Sequence, residues 1–356
     1  MSVATKEVLP FLDVSDEVNE LWDELNTAIQ GVLRSGQFIM GPDVATFEKY
    51  AIGVNSGTDA LVIGLRALGI GAGDEVLTTP FSFFATAEAI SNVGAKPIFV
   101  DVEEASFNID PDKIEEKITP RTKAIMPVHL YGNPAAMTKI MDIAEKHHLK
   151  IIEDCAQSFG ARYHGSCESC QGKCDTSLRQ RFTGKFTGTM GHVGAYSFFP
   201  TKNLGAYGDG GLLTTNDNGV AELSKMLRAH GSKKKYHNEV LGYNSRLDSL
   251  YNDLLAKVDG VITPKLSDGH IFHQYTIRLT HANRDGVQKK LQEQGISTMV
   301  YYPIPQDRLP VYKGQYPVNP VSETLAGQVI SLPMWPSIPP SKQETIVDLL
   351  KNVLSQ

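Results

Sequence analysis

From about residue 51 to residue 215 the chain alternates short, nearly unbroken apolar runs with amphipathic stretches, and no other feature limits the fold as much. The pattern predicts strands at 51–54, 75–79, 96–101, 124–128, 150–154, 195–199 and 211–215, and helices at 58–68, 85–93 and 137–148. A strand that is apolar on both faces must be covered on both. A helical crossover supplies that cover and leaves the joined strands parallel. The expected fold class is therefore α/β, a mostly parallel sheet flanked by helices. Ligands of such sheets bind beyond the carboxyl ends of the strands. Asn55, Pro80, Asp154 and Gln157 all follow predicted strand ends, which puts them on one rim.

Past about Arg246 the texture changes. Strands are predicted at 275–279 and 297–301, a helix at 284–294 closed by Gly295, and a last helix at 342–354. This reads as a smaller α+β domain. With 356 residues the chain has room for both, and the expected division is 1–245 for the large domain and 246–356 for the small one. The N-terminal segment is expected to pack on the small domain.

Charge and composition narrow the function. A net charge of -6 argues against a nucleic-acid binder, and the densest basic cluster, Lys233-Lys234-Lys235, reads as a solvated loop. No apolar run is long enough to span a bilayer, and the first residues lack the apolar core of a secretory signal. Four cysteines in a chain of this length do not make a disulfide scaffold. A cytoplasmic protein is expected.

The chemistry collects at four places along the chain. Asn55-Ser56-Gly57-Thr58-Asp59 is a strand-to-helix turn. Free N–H groups at a helix start attract phosphate and a glycine lets the anion approach, although Ser, Thr and Asp there also serve as plain N-caps. Phe81-Ser82-Phe83-Phe84 follows the next strand, where an aromatic ring stacks on a flat ligand or fills the core. Asp154 ends the apolar strand 150–154, and a carboxylate so poorly solvated calls for a cationic partner, a salt bridge or a helix to cap. Gln157 lies three residues on. Lys202 follows an apolar strand and precedes the turn Gly208-Asp209-Gly210-Gly211, a setting that desolvates an amine and makes it a better nucleophile. An amine to tether an aldehyde as an imine and an acid to hold a pyridine nitrogen protonated are the two groups that pyridoxal phosphate requires.

With these residues the chain resembles the fold type I pyridoxal-phosphate enzymes and, more narrowly, the DegT/DnrJ/EryC1/StrS family of nucleotide-sugar aminotransferases. The matching stretches are 36–42, 53–61, 73–89, 153–160, 189–204, 208–215, 230–231 and 242–247. The resemblance implies roles residue by residue. Lys202 is the imine-forming lysine and Asp154 binds the pyridine nitrogen. Gln157 reaches the ring oxygen and Phe83 stacks on the ring. Gly57, Thr58 and Ser197 hold the phosphate. Asn244 reaches the cofactor phosphate of a partner subunit, which implies a homodimer with shared active sites. Tyr301 lies near a position that faces the sugar. The implied reaction moves an amino group from L-glutamate to a keto group of a nucleotide-linked hexose, in polysaccharide or glycoside biosynthesis.

The chain departs from the family pattern in three places. The segment 47–50 runs directly into 51–54, the segment 246–250 runs almost directly into 251–255 where a long helix is usual, and residues 166–182 look inserted. The inserted stretch holds Cys167, Cys170 and Cys174, a spacing that suits zinc or an iron–sulfur cluster if a fourth ligand exists. The favoured reading is a metal-free loop. Three rival functions follow: a sugar dehydratase on the same fold, which Lys202 opposes because that chemistry goes with histidine there; an inactive scaffold or regulatory homologue; and a metal sensor built on the cysteines.

Overall fold

The computed structural model describes residues 9–13, 15–35, 51–165, 176–206, 208–229, 232–234, 237–241, 273–334 and 338–354. Two helices, Ser15–Glu20 (α1) and Trp22–Ser35 (α2), precede the sheet. Then come Ile52–Val54 (β1), Gly57–Ala67 (α3), Glu75–Thr78 (β2), Ala85–Asn92 (α4), Lys96–Phe99 (β3), Thr122–Met126 (β4), Met137–Lys146 (α5), Lys150–Asp154 (β5), Thr176–Phe182 (α6), Val193–Ser197 (β6), Gly211–Thr214 (β7) and Asn218–Arg228 (α7). A small hairpin of Ser232–Lys234 (β8) and His237–Asn238 (β9) follows. The C-terminal part holds Tyr275–Arg278 (β10), Arg284–Glu293 (α8), Pro320–Gln328 (α9), Val329–Leu332 (β11) and Pro340–Leu354 (α10).

Seven strands form one sheet in the order β1-β7-β6-β5-β4-β2-β3. Only β7 runs against the rest, pairing antiparallel with both β1 and β6. Its two neighbours therefore end on the same rim as β5, and the registers Val54↔Gly211, Ser197↔Gly211 and Asp154↔Ala195 draw the starts of three loops together. One apolar cluster packs α3 on one face, with Ile63, Leu65, Val76, Met126 and Ile152 at its heart. A second covers the other face, where Leu77, Ile125, Ile140 and Ile151 meet α5 and α6. Burial at roughly 1.5–3 kcal/mol for each large aliphatic side chain makes these two layers the main source of stability.

The C-terminal part has its own core on the β10–β11 pair, built from Ile277, Leu291, Ile330 and Leu350. Leu9 belongs to that core: its N–H donates to Gly295 O at 2.8 Å and its C=O accepts from Ser297 N at 3.1 Å. Leu9 thus packs on the C-terminal part. The boundary between 245 and 246 lies outside the described residues. A fourth cluster, with Phe81, Tyr131, Leu325 and Val329, joins the two parts.

Two expectations need correction. The stretch 297–301 is not a strand, because its one ladder contact is the bridge Met299↔Ser331 and Met299 is 43% exposed; the chain leaves the sheet there to turn toward the rim. The stretch 166–182 is not all loop, since its last residues form α6 and bury Leu178 and Phe182 in the core. Cys167, Cys170 and Cys174 lie outside the described residues, as do 47–50 and 246–255. No helix among the described residues is long and apolar enough to cross a membrane.

Candidate active site

The site sits at the carboxyl ends of β1, β5 and β6. Asp154, the last residue of β5, is 4% exposed. Its Oδ2 accepts from the Thr86 hydroxyl at 2.8 Å and its Oδ1 from Ala156 N–H at 3.1 Å. No ion pair reaches it among the described residues. Burial raises its pKa, opposed by the Thr86 and Ala156 hydrogen bonds and by the charge of Lys202. A buried carboxylate with two neutral donors and no touching cation still has room for one charged partner.

Lys202 faces it across the rim. Its N–H donates to Phe199 O at 2.8 Å, which closes the turn that follows β6 and aims the side chain inward. The side chain keeps partial access to solvent, but its amine lies among enough protein atoms for burial to pull its pKa down to about 8 against the opposing pull of Asp154. The two charges feel one another without forming an ion pair.

The packing of the turn after β1 is legible in the glycines. Ser56 caps α3 by accepting from Asp59 N–H at 3.1 Å, so the cap reading of this turn is correct. The first-turn N–H groups of Gly57 and Thr58 have no intrahelical acceptor, and the cap leaves them available to an anion. A Cβ on Gly57 would stand 2.7 Å from Ser197 Cβ, and one on Gly211 would stand 2.3 Å from Ser56 O. Both glycines are required for these three loops to meet, and the meeting puts Ser197 beside the helix start.

Phe83 is 58% exposed at the rim, whereas its neighbour Phe81 is fully buried. Its ring centroid lies 6.3 Å from that of Tyr302. Gln157 is buried; its Oε1 accepts from Tyr131 N–H at 2.7 Å and its Nε2 donates to Tyr302 Oη at 3.2 Å. Tyr301 is half-buried with its ring 6.0 Å from that of Phe11, against the cluster that joins the two parts. Asn244 lies outside the described residues. The structure thus brings Lys202, Asp154, Gln157, Phe83, Gly57, Thr58 and Ser197 to one rim, and sets Tyr301 at its border.

Four residues here escape sequence reasoning: Thr86, Tyr131, His273 and Tyr302. Each reaches the site through a long-range contact with no local signature. Burial and the charge of Lys202 hold the His273 imidazole well below its ordinary pKa. Behind Asp154, His129 Nε2 lies 3.0 Å from Glu153 Oε2, with both residues fully buried. His129 Nδ1 accepts from Ala135 N–H at 3.0 Å, so its one proton sits on Nε2 and faces Glu153. Glu153 also accepts from the N–H groups of Gly188, Met190 and Gly191. These bonds claim the ligand atoms of His129 and Glu153, which stand within 4.8 Å of Cys155 Sγ, and leave them no free lone pair for a metal ion.

Comparison with known proteins agrees with the geometry. The profile of the DegT/DnrJ/EryC1/StrS aminotransferase family matches residues 19–251 and 248–351. A pleiotropic regulatory protein of Geobacillus stearothermophilus is 43% identical, covering 96% of this chain and 97% of its own. A UDP-N-acetyl-3-dehydro-alpha-D-glucosamine 3-aminotransferase of Acidithiobacillus ferrooxidans is 40% identical, over 97% of this chain and 98% of its own. The crystal structure of DesV from S. venezuelae superposes with a TM-score of 0.87 at 35% identity, covering 98% of this chain and 99% of that one. That of NtdA from Bacillus subtilis, with bound cofactor PMP, superposes with a TM-score of 0.83 at 30% identity, covering 100% of this chain and 87% of that one.

Proposed function

We propose, for a chain that belongs to the DegT/DnrJ/EryC1/StrS aminotransferase family, that it moves the amino group of L-glutamate through pyridoxal phosphate to a keto group of a nucleotide-linked hexose. The observation that carries this reading is the pairing of a buried carboxylate without a cation, Asp154, with a lysine whose pKa is drawn down to about 8. The residues present fit the cofactor, since no ion pair is made to the buried carboxylate among the described residues and the Gly57–Ser197 approach forms a cradle that a Cβ would fill.

When bound, pyridoxal phosphate supplies an aldehyde for covalent attachment and a conjugated ring that accepts electrons. The chain's own residues do the rest. Asp154 accepts from the ring N–H and keeps that nitrogen protonated. Gly57 and Thr58 N–H, with the Ser197 hydroxyl, bind the phosphate. Phe83 covers one ring face and excludes water from it. Gln157 offers its Nε2–H to the ring oxygen. Lys202 Nζ would hold the cofactor and, when its amine is free, would accept a proton at one substrate-side carbon and return it at another. A pKa of about 8 keeps a useful share of that amine neutral near physiological pH, and positioned proton transfer of this kind contributes typically ~10²–10⁴-fold.

The reading extends to a division into a cofactor-binding unit, 1–245, and a smaller unit, 246–356. It includes a homodimer in which Asn244 serves the partner's phosphate, a border role for Tyr301 toward the sugar, a cytoplasmic setting and a place in polysaccharide biosynthesis. The regulatory relative favours a second reading, a sugar-pathway homologue that acts by binding alone. The retained Lys202–Asp154 pair speaks against it. A coupled assay with glutamate over a panel of keto-sugar nucleotides decides: release of 2-oxoglutarate that depends on one keto sugar supports the transferase, and cofactor uptake with no turnover on any of them supports the second reading.

A further inference from the structure

Three segments far apart in sequence meet at Tyr131. This residue is 1% exposed and left-handed, with φ 57° and ψ 16°, a conformation that a bulky L residue holds only when its surroundings impose it. All three of its polar groups are engaged. The N–H donates to Gln157 Oε1 at 2.7 Å. The C=O accepts from His273 N–H at 3.0 Å. The phenol donates to the C=O of Tyr301. Its ring packs edge-on against Phe107 at 5.6 Å, inside the cluster that joins the two parts of the molecule.

The first of these bonds has a chemical consequence. A backbone N–H can only donate, so the Gln157 atom facing it is the carbonyl oxygen. The Nε2 group is then the one left on the side of Tyr302 Oη, at 3.2 Å, and toward the rim. A glutamine held this way offers the site donors and no acceptor. The other two bonds fasten the strand entry at His273 and the turn at Tyr301-Tyr302, both from the C-terminal part, to the same residue.

We propose that Tyr131 is a positioning residue for the transfer reaction: its backbone fixes the Gln157 amide with N–H toward an acceptor oxygen in the site, and its phenol pins the Tyr301-Tyr302 turn that steadies that amide. This deepens the aminotransferase reading and rests on it.

Tyr131→Phe removes the phenol donor and keeps the ring and the backbone bonds. Tyr302→Phe removes the acceptor for Gln157 Nε2. Two readouts apply to each variant and to the double variant: the Kd of pyridoxal phosphate for the apoprotein by equilibrium dialysis, and the pH midpoint of the bound cofactor's absorption band. Each single change is expected to raise Kd about fivefold, the size of one lost hydrogen bond, and to move the midpoint upward, because a loosened donor stabilises the ring oxygen's anion less. A change that only softened the fold would lower the melting temperature and leave the midpoint in place. The double variant is expected to match the worse single one, since the Tyr131 phenol acts on the Gln157 amide only through the turn that carries the Tyr302 hydroxyl. Wild-type Kd and midpoint in Tyr131→Phe overturn the inference, and so do losses that multiply in the double variant. If Tyr131→Phe does not fold, Tyr302→Phe carries the test alone, and an unmoved midpoint there overturns it. A wild-type protein that takes up no pyridoxal phosphate sinks the aminotransferase reading itself, a different outcome from a variant that behaves as wild type.

Discussion

The depressed pKa of Lys202 makes a prediction that an ordinary surface lysine cannot meet. The perturbation is pH, applied to the apoprotein, and then the substitution Asp154→Asn. Burial brings the amine from the usual 10.5 to about 8. At pH 7 about a tenth of such an amine is neutral, against ~3 × 10⁻⁴ at the usual value, a gain of roughly 300-fold in reactive form. Covalent capture of pyridoxal phosphate, followed by absorbance in a stopped-flow mixer at saturating aldehyde, should therefore rise about tenfold per unit up to roughly pH 8 and level off above it. Asp154 acts in the opposite direction to burial, holding the proton on Lys202. Its replacement by Asn should move the midpoint below about 8 and speed capture at pH 7, even as turnover with glutamate is lost. A midpoint at or above 10 would refute the reasoning, as would an upward shift in Asp154→Asn.

Three further outcomes test the packing around the site. Gly57→Ala puts a methyl group 2.7 Å from Ser197 Cβ, so Ser197 must retreat; the expected result is a loss of more than about tenfold in cofactor affinity, although Ala in a helix ordinarily gains ~1 kcal/mol over Gly. Gly327→Ala, in α9 with nothing within 4 Å, should show that ordinary gain as a slightly higher melting temperature with cofactor affinity unchanged. Glu153→Ala strands His129 and three backbone N–H groups, and urea denaturation should register a loss of about 3–5 kcal/mol; a loss under ~1 kcal/mol contradicts the bonding described.

Much of this was written in the sequence because the strands are local and apolar. Runs such as 150–154 and 75–79 show their type without help, and their ends place Asp154 and Pro80 on the rim. Lys202 stands out by the strand before it and the glycines after it. The direction of β7 is not legible, since an apolar run reads the same whichever way it is paired. The stretch 297–301 has the composition of a strand, yet tertiary demands turn it toward Tyr302 and leave a single bridge. Gln157 could be picked from its spacing after Asp154, but not which of its amide atoms faces the site. That is fixed by the left-handed backbone of Tyr131, 26 residues earlier, and neither that conformation nor the His273 and Tyr302 contacts leaves any periodic trace.

The proposed transfer stands on a covalent bond between the Lys202 amine and the cofactor. Borohydride reduction of the pyridoxal-phosphate-loaded protein, followed by peptide mapping, tests it most directly. One modified residue, Lys202, is expected, and no labelled peptide from Lys202→Ala. Label on another lysine, or a reduced protein with position 202 unmodified, contradicts it.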